Sequence, residues 1–152
     1  MPNRLLALVA ALATAAAVAL PATAAKKKPP QYDRLAALSG SEEAPTAGDP
    51  DGYGAADFRL TGNKVCFRIL ASKIGQGTAA HIHKGAPGEA GPIVVDLFSF
   101  KGKSQTIPPR ISGCAKSTAA IVKDIARNTD DYYVNVHNEE FPSGAIRGQL
   151  SK

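Results

Sequence analysis

Three histidines are the residues best equipped for chemistry in this chain: His81 and His83 in "TAAHIHKG", and His137 in "YYVNVHNEE". Successive side chains of an extended strand point to opposite faces, so residues i and i+2 share one face. With Ile82 as the core residue of "AHIHK", His81 and His83 stand together on the other side. The same parity in "YYVNVH" sends Val134 and Val136 inward and gathers Tyr133, Asn135 and His137 on the opposite face. Two imidazoles from one strand and a third from another make a ligand set suited to zinc or copper. Imidazole binds metal only when neutral, so affinity is expected to weaken below about pH 6.5. The bland alternative is a set of outward histidines that merely form hydrogen bonds on a sheet face. Asp96, Glu139 and Glu140 could each supply a fourth ligand, and spacing does not choose among them.

Other reactive constellations are weaker. Serine, histidine and aspartate all occur, but no G-x-S-x-G elbow does. Glu42 and Glu43 are adjacent, which on a strand points them apart, so acid/base pairing is not expected. "GAPGEAG", residues 85–91, lacks the phosphate-loop pattern and reads as a turn between strands. No enzyme is therefore expected. Arg147 should lie on the polar face, where it could bind an anion or, more readily, pair with Glu139 or Glu140. Asn135, Glu139 and Arg147 are thus candidate binding residues beside the histidines, whereas Tyr132 and Tyr133 read as packing.

These side chains need strands to hold them, and the pattern supplies strands. "YDRLAALSG" reads as a first strand, followed by a Pro/Asp/Gly-dense loop. "AADFRLTGNKVCFRIL" reads as a hairpin, with strands 55–60 and 64–70 around Thr61, Gly62 and Asn63. In its second strand Val65, Phe67 and Ile69 alternate with Cys66, Arg68 and Leu70, as in a half-buried strand. Strands are also expected at 78–85, at 91–100, in "DYYVNVH" and in "SGAIRGQL", with a Pro-containing connection around "KGKSQTIPPR". One short helix is expected near 117–127, capped by Ser117 or Thr118, with Ala120, Ile121 and Ile125 near helical spacing. The fold class is all-β: an antiparallel immunoglobulin-like sandwich or barrel.

The N-terminus reads as a secretory leader over residues 1–24. Arg4 supplies the positive end, residues 5–20 the apolar stretch, and Ala22-Thr23-Ala24 a small-residue cleavage site. That stretch is shorter than the ~20 residues of a membrane span, and no second one follows. Residues 25–32 form a basic, proline-containing linker, and residues 33–150 one domain. The expected location is secreted, periplasmic or otherwise extracytoplasmic. There Cys66 and Cys114 are most simply one disulfide, free thiols being the alternative if the strands keep them apart. A net charge of +5 comes partly from the lysines at 26–28, and the remaining bases are scattered among acids. Nucleic acid is therefore not an expected partner.

Taken together, "AHIHKGAPGEAGPIVVDL" and "YYVNVHNEEFPSGAIRGQL" resemble the CHRD domain, a module first described in chordin and common in secreted bacterial proteins. The front end fits as well: "LAALSGSEEAPT" carries an L-x-G-x-x-E-x-P element, and "GYGAADFRL" follows as a Gly-led strand. The resemblance implies an all-β fold outside the cytoplasm and a binding or structural role rather than catalysis. It also implies that His81, His83 and His137 belong to the motif, which favours a metal ion or a protein partner at that face. Oligomeric state is not legible. The "HIH" strand is faintly similar to the copper strand of copper/zinc superoxide dismutases, but three histidines are too few for that dinuclear site.

Overall fold

The computed structural model describes residues 31–100 and 110–152. The leader, most of the linker and most of the 101–110 connection lie outside the described residues. The strands are β1 (Arg34–Ser39), β2 (Tyr53–Thr61), β3 (Lys64–Ser72), β4 (Gly77–Lys84), β5 (Ile93–Ser99), β6 (Arg110–Lys116), β7 (Tyr132–Asn138) and β8 (Ile146–Gln149). They form one antiparallel sheet in the order β5-β4-β7-β8-β1-β2-β3-β6. The edge strands β5 and β6 approach each other, so the sheet curls into a nearly closed barrel. Among the described residues the expected all-β architecture with a single α-helix is what forms.

Period two explains most of it. Val65, Phe67 and Ile69 of β3 are buried, as are Ile82 of β4 and Val134 and Val136 of β7. With Phe58, Ile146 and Leu150 they fill one continuous interior. The β2–β3 hairpin turns on Gly62 and Asn63, and Gly62 has a φ of 58°, which suits glycine. The helix α1 (Ala119–Arg127) starts where Thr118 accepts the backbone N–H of Ile121 at 3.2 Å, a cap that stabilises by about 1 kcal/mol. Its buried residues are Val122 and Ile125. Ile121 is only partly covered and Ala120 is exposed, so the inward stripe differs by one residue from the expected one.

Strand β6 was not expected. Its sequence, "RISGCAK", has a glycine where a strand would usually carry a side chain. The reason lies on β3: a Cβ at Gly113 would meet the Phe67 ring at 3.1 Å, so the partner strand fills the space. Cys66 and Cys114 are direct cross-strand partners in this pairing and are joined by a disulfide. Closing 48 residues of chain this way stabilises by roughly 4 kcal/mol through loop entropy.

Candidate metal centre

Strands β4 and β7 are neighbours, and their register builds the site. His83 lies opposite Tyr133, His81 opposite Asn135 and Ala79 opposite His137. On the far side of β7, Asn135 pairs with Arg147 and Tyr133 with Gln149 of β8. These residues share the face away from Ile82, Val134 and Val136, as parity predicts. The β4–β5 ladder is interrupted on both sides of Ile82, between Ala80 and His81 and again between Ile82 and His83. Irregularities of this kind re-aim side chains beside functional sites, and here they set Asp96 opposite His81.

The face is not the open surface that outward parity suggests. His83, Asn135 and Arg147 are buried, Arg147 to 1% exposure, while His81 and His137 are half-buried. The 85–91 loop crosses this face, and Glu43 from the 40–52 segment is buried beside Asn135 and Arg147. Arg147 donates to the carbonyls of Glu89 at 2.8 Å and Ala86 at 2.9 Å, and Gln149 donates to that of Gly85. The guanidinium lies 3.4 Å from the centre of the Tyr133 ring, which stacks on His83 at 4.7 Å. Tyr133 accepts the backbone N–H of Gly91 at 3.1 Å. Among the described residues no ion pair joins Arg147 to Glu139 or Glu140. Both glutamates are exposed, because the hairpin turn carries them outward while Arg147 reaches under the 85–91 loop.

The imidazoles converge. His81 Nδ1 lies 3.0 Å from His137 Nε2, and one ligand nitrogen from each of His81, His83 and His137 falls within 4.8 Å of the others. Each ring's remote nitrogen faces an acceptor. His83 Nδ1 donates to the Gly91 carbonyl at 2.8 Å and His137 Nδ1 to the Pro142 carbonyl at 3.0 Å. His81 Nε2 has Asp96 Oδ1 at 3.9 Å. A carbonyl only accepts, so the neutral rings of His83 and His137 carry their protons on Nδ1 and turn bare Nε2 atoms into the cluster. Asp96, a fourth-ligand candidate by sequence, thus stands behind His81 rather than among the converging atoms.

Burial lowers the pKa of all three histidines. For His81 desolvation outweighs the Asp96 charge, and for His83 it outweighs the Gly91 and Asn135 hydrogen bonds. His137 falls to about 4, through desolvation first and the charges of His81 and His83 next. Neutral, ligand-ready rings are therefore the ordinary state near pH 7.

Glu43 is the residue that sequence reasoning passed over. It is buried, 9% exposed, whereas its neighbour Glu42 is exposed. Its Oε1 has no hydrogen-bond partner. Burial pushes its carboxyl up to about 7, against the pull of Arg147, the Ala44 N–H and a hydrogen bond from Asn135. Gly144 makes room for it: φ there is 148°, and a Cβ would meet the Glu43 carboxyl at 2.4 Å. The available signal was the glutamate of the L-x-G-x-x-E-x-P element.

Comparison with known families matches the CHRD domain over residues 35–150, which includes every residue of this centre. The chain belongs to the CHRD family. No curated protein and no solved structure matches it. Both ends of the CHRD match contribute to the centre, Glu43 from the opening element and His137 to Arg147 from the closing one. No described helix is long and apolar enough to cross a membrane.

Proposed function

We propose that this CHRD protein is an extracytoplasmic, non-enzymatic module whose working part is a metal site, with His81, His83 and His137 holding zinc or copper. The observation that carries the reading is the lone-pair arrangement of the cluster. With Nδ1 of His83 committed to Gly91, its Nε2 lies 3.1 Å from Asn135 Oδ1, which is itself an acceptor. His137 Nε2 makes the same approach to Asn135 Oδ1, at 3.1 Å, and lies 3.0 Å from His81 Nδ1, whose proton it can accept when no ion is bound. Acceptors held this close in a covered site are satisfied by a cation placed between them. The disulfide and the leader-like N-terminus support a location outside the cytoplasm. The non-enzymatic half of the reading rests on membership of the CHRD family.

The test is metal content of the natively exported protein, purified without chelator or His-tag, with zinc and copper titrations of wild type and His83→Ala. About one equivalent per chain, lost in the variant, is the expected result, because a ligand has gone. Background metal and no histidine-dependent binding would sink the metal reading. The face would then serve the fold or a protein partner.

A further inference from the structure

The three histidines leave one position of a tetrahedron unfilled, and the side chain nearest to filling it is Asn135. Its Oδ1 lies 3.1 Å from His83 Nε2 and 3.1 Å from His137 Nε2, and the latter lies 3.0 Å from His81 Nδ1. In a tetrahedral zinc site with bonds of ~2.0–2.1 Å, neighbouring ligand atoms are about 3.3–3.4 Å apart. These three spacings are already near that edge length. Asn135 also sits in the middle of the cluster's central strand, opposite His81 on one side and Arg147 on the other.

An amide can turn either end toward the histidines, so something must choose the oxygen. Glu43 does, by accepting a hydrogen bond from the Asn135 side chain. A carboxyl keeps an accepting oxygen whether or not it is protonated, and so favours the amide sense that presents Oδ1 to the cluster. Arg147, buried on the neighbouring strand, pulls the Glu43 carboxyl toward its charged form, though less strongly than burial opposes it.

We infer that Asn135 Oδ1 is the fourth ligand, held in place by Glu43, and that the site is a closed N3O centre for zinc. This rests on the three-histidine reading above and goes further, because it decides what the ion can do. A catalytic zinc keeps one position for water or substrate, whereas a site closed by four protein atoms holds its ion for structure or storage. Glu43 is a positioning residue in this scheme and does not touch the ion.

The experiment uses cobalt(II) as a visible stand-in for zinc and sodium azide as the probe for an open position. Wild type should give a tetrahedral cobalt spectrum that azide leaves unchanged. Asn135→Ala should bind cobalt with an azide-sensitive spectrum, and its zinc affinity should fall by at least about tenfold. Glu43→Gln should weaken zinc by a similar factor while keeping one equivalent. An azide-sensitive wild type overturns the inference, and that arm decides even if Asn135→Ala does not fold. An azide-insensitive Asn135→Ala overturns it too, since another group would then be closing the site. Failure of the wild type to bind cobalt or zinc at all is a different result: it removes the three-histidine reading itself.

Discussion

His83 and Asn135 face each other as two acceptors, Nε2 to Oδ1 at 3.1 Å, because the only proton of the neutral ring is given to Gly91. Contacts of this kind cost stability until a cation joins them. The first consequence is thermal. A ligand that binds only the folded chain stabilises it by ~2.7 kcal/mol at a hundred times its Kd. For a domain of this size that is a rise in Tm on the order of 10 °C. Zinc should therefore raise the melting temperature of the wild type by about that much in differential scanning fluorimetry. His137→Ala should melt within a few degrees of the metal-free wild type and show no rise. A rise that survives in the variant would place the binding elsewhere.

The second consequence concerns pH. Three ordinary histidines with pKa near 6.5 would each be about one-quarter neutral at pH 6, costing a three-imidazole site roughly 70-fold in affinity. Here burial lowers all three, His137 to about 4. Protons then compete only at lower pH. Zinc affinity should therefore fall between pH 7.5 and pH 6.0 by clearly less than unshifted rings would lose, and fall steeply below. A loss of about fiftyfold between pH 7.5 and pH 6.0, in competition titrations with a chromophoric chelator, would show that the rings are not shielded as the burial implies.

How much of this was legible in sequence depends on distance along the chain. The parity that placed Ile82 against His81 and His83, and Val134 and Val136 against Asn135 and His137, is a local property of extended backbone. It came through intact. The covering of that face did not, because the 40–52 and 85–91 loops reach it from elsewhere and no periodicity reports where a loop folds back. Arg147 illustrates the point: two acids stand near it in the hairpin, yet its protons go to the carbonyls of Ala86 and Glu89. Strand β6 was hidden for a related reason. Gly113 looks like a strand breaker until Phe67 of the neighbouring strand is seen occupying the space over it. Glu43 was visible only as a letter in a family element, with no local signal that it would be buried.

Glu43 gives a third expectation, for the metal-free protein. Its carboxyl is raised from 4.5 to about 7, so the folded chain holds a proton there that the unfolded chain has released. Stability from this group is thus greatest below about pH 4.5 and is lost as pH rises toward 7. The histidines act oppositely, since the unfolded chain protonates them first, and stability is lost as pH falls below 6.5. Glu43→Gln removes only the first effect. In urea melts its stability relative to wild type should rise between pH 5 and pH 8, by at most about 3 kcal/mol. A difference that does not change with pH would mean that Glu43 is not carrying a buried proton.

Two glycines separate backbone strain from effects on the site. Gly62 and Gly144 both have positive φ, 58° and 148°. A Cβ at Gly62 would meet nothing within 4 Å, whereas one at Gly144 would meet the Glu43 carboxyl at 2.4 Å. Gly62→Ala should therefore cost about 1 kcal/mol of stability from backbone strain alone and leave zinc affinity unchanged. Gly144→Ala should cost more, roughly 2–3 kcal/mol, because strain adds to a displaced buried carboxyl. It should also weaken zinc by about tenfold, since a displaced Glu43 no longer fixes the Asn135 amide. Urea melts and zinc titrations of both variants make the comparison. Equal zinc affinities in the two would show that Glu43 does not act on the ion through Asn135, even if Gly144→Ala is the less stable protein.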